Sequence, residues 1–254
     1  MKLAALTILP AILIIYMVYR MDKLEKEPKP LIKILLLCGV GSTFLTLLLG
    51  AIPNSIMDMS LDENSVLYNV LRAFVMAGLI EETSKYIMLR IGTYKKRAFN
   101  CLFDGIVYAV TVSMGFALFE NILYVLDGGW TTAILRALTA VPGHACDAIF
   151  MGFFYGYAKK YQILGDKKKE KKYTLLSILS AAIVHGIYDC ILMVEFKGQI
   201  FVFIAFIIIL YISCIVFLKK ASKNDEYIDN QEDSMYNETK YNHSNYNYEE
   251  DDEW

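Results

Sequence analysis

The strongest constraint in this sequence is a succession of apolar stretches, each long enough to lie across a bilayer. A helix needs roughly 20 apolar residues to cross the hydrocarbon core. Seven stretches meet or approach that length: residues 3–19, 34–57, 73–89, 105–126, 137–158, 173–194 and 200–218. The expected fold is an all-α polytopic membrane protein with about seven transmembrane helices. Composition agrees: 56% of the 254 residues are hydrophobic and mean hydropathy is +0.39, above the range of soluble chains. Stretch 3–19 is long, lacks a small-x-small exit and runs straight into Arg20, which argues against a cleavable signal peptide.

Positive charge orients the bundle. Five Lys and Arg residues lie in 20–33, four in 90–97 and seven in 159–172, and Lys219, Lys220 and Lys223 follow the last stretch. The alternate connections are poor in them: none in 53–65, none in 127–132, and only Lys197 in 195–199. This alternation puts the amino terminus outside and the carboxyl terminus in the cytoplasm, so the expected location is the cell membrane, with the lipid bilayer as a partner. Residues 1–221 read as the transmembrane domain. Residues 222–254, rich in Asn, Tyr, Asp and Glu, read as a disordered acidic cytoplasmic tail. A net charge of −2 gives no hint of a nucleic-acid partner. The five cysteines all fall in apolar stretches, which excludes a secreted disulfide scaffold.

Ionisable residues inside spans are costly and mark function. Eight occur here: Glu81, Glu82 and Lys85, then Glu120, then His144 and Asp147, then His185 and Asp189. Measured from Arg72, Asp127, Arg136 and Glu195 taken as boundary residues, Glu81, Glu120, His144, His185 and Asp189 lie about 9–15 Å deep at 1.5 Å per residue. Four helices thus bring acids and imidazoles to one slab in the outer half of the membrane. Glu81 and Lys85 are spaced i,i+4, as are Phe116 and Glu120, and His185 and Asp189, so each pair shares a helix face. On this spacing Lys85 keeps one Glu ionised, and Asp189 orients His185 or holds it charged. Pro142-Gly143 is expected to kink the helix before His144 and open room around it. Gly152 and Gly156 read as a packing ridge.

Two adjacent acids, a third acid and two histidines in a wet intramembrane pocket suit peptide hydrolysis. A carboxylate acts as general base on water, and His stabilises the oxyanion and protonates the leaving amine. Zinc is the rival, because His and Glu also make a zinc centre, although no HExxH appears and the donors are spread over four helices. A proton- or cation-coupled transporter is the alternative from another class.

At these residues the sequence resembles the PrsW family of intramembrane proteases, distant relatives of the CAAX-processing and bacteriocin-processing membrane proteases. The resemblance rests on the charged connection 22–28 (DKLEKEP), an EExxK pattern at Glu81, Glu82 and Lys85, FxxxEN from Phe116 to Asn121, PGHA around His144, and HxxxD from His185 to Asp189. It implies a protease making the first, extracytoplasmic-side cut in a single-span membrane anti-sigma factor, leading to sigma-factor release. It further implies Glu81 and Glu82 as catalytic acids with His185, supported by Lys85, Glu120, His144 and Asp189. The expected chemistry is a glutamate-activated water with no cofactor; in a zinc-dependent version the ligands would be Glu81, Glu120, His144 and His185. The CAAX-processing relatives carry His where this chain has Glu120.

Overall fold

The structure, a computed structural model, describes residues 2–228, with the side chains of 2–5 outside that description. The chain runs through α1 (Lys2–Met21), α2 (Lys29–Ser60), α3 (Val66–Leu71), a π-helical stretch (Arg72–Glu81), α4 (Glu82–Thr93), α5 (Asp104–Leu138), α6 (Ala140–Ile163), α7 (Lys167–Met193) and α8 (Gln199–Lys223). The all-helical class expected from the sequence is the one observed. Among the described residues four helical runs are long and apolar enough to cross a membrane: Lys29–Ser60, Asp104–Ile163, Lys167–Met193 and Gln199–Lys223, the second holding both α5 and α6. Leu6–Met21 is apolar but shorter. Leu37, Leu48 and Ile52 on α2 and Phe201 and Ile209 on α8 are exposed, an apolar surface suited to lipid tails. This is a multi-pass cell-membrane protein.

The α5–α6 pair forms the centre. Every residue of α5 from Asp104 to Ala117 is buried, and α6 is buried along most of its length. The Gly152–Gly156 ridge permits this closeness. A Cβ on Gly152 would fall 2.5 Å from the Gly105 carbonyl oxygen, and one on Gly156 the same distance from that of Leu102. Without a strong hydrophobic drive between helices in lipid, such backbone proximity and the packing it allows hold the pair together.

Residues 127–132 form no open loop. The chain breaks direction inside α5 at Gly129, whose φ of 64° favours glycine, and again at Thr139. The expected kink at Pro142 is instead a helix start. Pro142 falls in the first turn of α6, where its missing N–H costs no intrahelical bond.

Val66 to Thr93 is helical without a gap, but its middle is π-helical. Such segments are rare and concentrate at functional sites. Gly78 within it lies against α7: a Cβ there would meet the Ala182 carbonyl oxygen at 2.6 Å. This contact sets the acids of the continuous helical rod 66–93 against the histidine of α7.

Residues 222–228, which the sequence reading assigns to the tail, are partly the end of α8 and partly docked on residues 100–103. The Phe103 amide donates to Asp225 at 2.9 Å, the Leu102 amide to the Glu226 carbonyl at 3.1 Å and the Ile228 amide to the Asn100 carbonyl at 2.7 Å. The remainder of the expected tail, 229–254, lies outside the described residues.

Candidate active site

The rod, α5, α6 and α7 converge on a cleft of about 940 Å³ lined by Glu81, Glu120, Arg136, His144, Asp147, His185 and Asp189. Asn54, Arg72, Thr132 and Ile200 also line it, so it lies at the end of the bundle whose connections are poor in Lys and Arg. The shared slab expected from depth along four spans is therefore a single cavity.

Beneath the cleft lies a closed network. Lys85 Nζ donates to Glu82 Oε1 at 2.6 Å, and both side chains are buried. His185 Nδ1 is 2.7 Å from the same oxygen. A carboxylate only accepts, so Nδ1 carries the proton and Nε2 turns elsewhere. Nε2 lies 4.0 Å from Glu81 Oε2 and 3.8 Å from Asp189 Oδ2, beyond direct hydrogen-bond distance. Two expected pairings change here. Lys85 pairs with Glu82, at i+3, and only loosely with Glu81, at 3.8 Å. Glu82, not Asp189, orients His185. The π-helical stretch ends at Glu81, so an uninterrupted α-helical register does not describe this rod.

A second strand of the network starts at Glu120. Its Oε2 accepts from Arg136 Nη2 at 2.6 Å and lies 2.9 Å from His144 Nε2. By the same reasoning Nε2 is the protonated nitrogen of His144, and Nδ1 accepts from Lys85 Nζ at 3.2 Å. Lys85 Nζ also stands 4.1 Å from the centre of the Phe116 ring, a cation–π contact. The faces shared by Glu81 with Lys85 and by Phe116 with Glu120 thus meet across helices. His144 and His185 lie edge to face, 5.1 Å apart.

Two participants escaped the sequence reading. Arg136, taken as a boundary residue, reaches into the cleft and binds Glu120 and the Asn121 side chain. Its guanidinium also lies 4.1 Å from the Tyr124 ring centre. Asp147, counted among the intramembrane charges but given no role, puts Oδ2 3.7 Å from His185 Nδ1. Its i+3 spacing from His144 was the available signal. Cys146, by contrast, is buried in the apolar core.

The buried charges compensate one another. A lone buried ion is strongly unfavourable, and removing one partner of a buried pair costs about 3–5 kcal/mol. Lys85 pairs with Glu82 and Arg136 with Glu120, each at 2.6 Å, while Glu81, Asp147 and Asp189 have His185 within 4.0 Å. Two oxygens are left over: Glu81 Oε2 and Glu82 Oε2 are buried without a hydrogen-bond partner. Glu81 is the member of this pair that lines the cleft, while Glu82 is fully enclosed.

Glu82, His144, Asp147 and His185 each offer a donor atom, and these atoms all lie within 4.8 Å of one another. Two imidazoles and two carboxylates are a zinc-type donor set and Glu82 Oε2 is a free donor, so the residue types fit a metal once the Lys85 ammonium, 2.6 Å from Glu82 Oε1 and 3.2 Å from His144 Nδ1, has moved aside. This set differs from the one expected. Glu120 is engaged by Arg136 and His144, and Glu81 faces the cleft rather than the donor cluster.

Residues 27–217 match the family model for the PrsW family intramembrane metalloprotease. The chain is 32% identical over 216 residues to "Protease PrsW" of Clostridioides difficile, covering 83% of this chain and 87% of that protein. It is 32% identical over 222 residues to "Protease PrsW" of Shouchella clausii, covering 87% and 96%. It is 37% identical over 156 residues to "Protease PrsW" of Halalkalibacterium halodurans, covering 61% and 70%. No solved structure matches the chain. These likenesses do not favour a transporter; with the converged acids, histidines and cleft, they establish that the chain belongs to the PrsW family of intramembrane proteases.

Proposed function

We propose that this protein hydrolyses a peptide bond in a single-span membrane anti-sigma factor, making the first cut on the extracytoplasmic side and so leading to sigma-factor release. The reading is carried by one observation: Glu81 lines the cleft, and its Oε2, with no hydrogen-bond partner among the described residues, lies 4.0 Å from His185 Nε2. The distribution of Lys and Arg supports about seven spans with the amino terminus outside, and the cleft lies at the charge-poor end of the bundle, which this topology turns outward.

Glu81 takes a proton from a water held between it and His185, and the water attacks the scissile carbonyl. As an imidazolium held at Nδ1 by Glu82, His185 donates its Nε2–H to the developing oxyanion. Lys85 offsets the negative charge of Glu82 and Glu81. Arg136 fixes Glu120, which fixes the tautomer of His144. The proton gathered by Glu81 passes to the leaving amide nitrogen. Glu82 is a positioning residue in this scheme.

The donor cluster supports a zinc-dependent version of the same hydrolysis. Glu82, His144, Asp147 and His185 would hold the ion, which when bound would polarise the scissile carbonyl and acidify water. Glu81 remains the base in both versions.

Reconstitution with a candidate single-span anti-sigma factor separates the two. Cleavage that survives chelation supports glutamate chemistry alone. Loss under chelation with recovery on adding zinc supports the metal. Full activity of Glu81→Gln contradicts the base assignment under either.

A further inference from the structure

A second buried acidic cluster lies at the other end of the bundle. Asp22 and Glu27, from the connection between α1 and α2, meet Asp104 at the start of α5, with one oxygen of each within 4.8 Å of the others. All three side chains are buried, at 1%, 3% and 0% exposure.

The cluster is short of positive charge and of donors. Both carboxylate oxygens of Asp22, and Asp104 Oδ1, are buried without a hydrogen-bond partner. The Glu25 amide faces Asp22 without completing a bond. Asp104 Oδ2 takes the amides of Asn100 and Cys101 at 3.0 and 2.7 Å, and Glu27 Oε2 takes the Tyr108 hydroxyl. Lys26 is the nearest cation, but its ammonium donates to the backbone carbonyls of Tyr19, Arg20 and Asp22. Asp225 adds a further negative charge beside Asp22. Glu27 and Asp104 lie in side-chain contact with each other, and two carboxyl groups so placed need a shared proton or a shared cation.

We propose that Asp22, Glu27 and Asp104 bind a hard divalent cation of the Mg²⁺ or Ca²⁺ class. An all-oxygen carboxylate set selects such ions over zinc, and the three orphaned oxygens are shut off from solvent. The ion ties the connection after α1 to the start of α5. This site shares no residue with the cleft and does not depend on the proteolytic reading.

The probe is Mn²⁺, followed by electron paramagnetic resonance on the full chain in detergent micelles, with Mg²⁺ and Ca²⁺ as competitors. Wild type should retain one Mn²⁺ that either ion displaces, and both ions should raise its melting temperature. His185→Ala, which disrupts the cleft donors, should keep this Mn²⁺. Asp22→Asn should lose it, lose the melting response, and melt no lower than wild type without cation, which shows that it folds. Wild type that binds no Mn²⁺, or Asp22→Asn that binds as wild type does, overturns the proposal. So does a wild-type melting temperature that responds to pH and not to either ion, because protons then satisfy the cluster.

Discussion

Asp104 and Glu120 stand sixteen residues apart on α5, about 24 Å along its axis, and each anchors a buried cluster of acids. At Glu120 the cluster carries its own cations: Lys85 and Arg136 reach carboxylates at 2.6 Å, and two histidines lie among them. At Asp104 three carboxylates meet without an ion pair among the described residues, and three of their oxygens have no hydrogen-bond partner there. In the first arrangement Glu82 and Glu120 are paired at short range, and Glu81, which has only longer contacts, opens on the cleft. The second is unbalanced where it is most enclosed. Within one helix bundle, a charge left uncompensated beside an open cleft can serve reaction, whereas one left uncompensated in a closed pocket calls for a ligand.

That contrast predicts opposite responses to removing a charge. Lys85→Met strips the cation shared by Glu82, Glu81 and His144, and is expected to cost about 3–5 kcal/mol, read as a large fall in melting temperature. Arg136→Leu leaves Glu120 with His144 alone and is expected to cost about 1–3 kcal/mol; an unchanged melting temperature would show that Arg136 only lines the cleft. At the other end the sign reverses. Asp22→Asn relieves repulsion and is expected to raise the melting temperature of the cation-free chain by about 1–3 °C. Smallest of all, Asp189→Asn should leave stability almost unchanged, because its carboxylate is 3.8 Å from His185. It should also spare more activity than Glu82→Gln, whose carboxylate holds that ring at 2.7 Å. Equal losses in a cleavage assay would return the orienting role to Asp189.

Residue type and order carried much of this into the sequence. Apolar length gave an all-helical membrane protein, and the intramembrane charges named seven of the side chains around the cleft, with Asp147 as the eighth. Partner choice was not legible. The spacing of Glu81 and Lys85 fits an ideal α-helix, but the residues before Glu82 are π-helical, a local widening that no periodicity in the sequence marks. Arg136 reads as a boundary residue because its reach depends on the breaks at Gly129 and Thr139, which set how the chain re-enters the bundle. The cluster at Asp104 was hidden for another reason. Asp22 and Glu27 sit in a connection full of lysines, where acids are ordinarily solvated, and only tertiary packing buries them.

The account turns most heavily on Glu81 as the residue that activates water, and product size in a reconstituted cleavage assay tests this directly. With matched amounts of folded protein, Glu81→Gln should lose about 10²–10⁴-fold in rate while its melting temperature stays at or above that of wild type, since the substitution removes an unpartnered buried carboxylate. Cleavage at the wild-type rate would contradict the assignment.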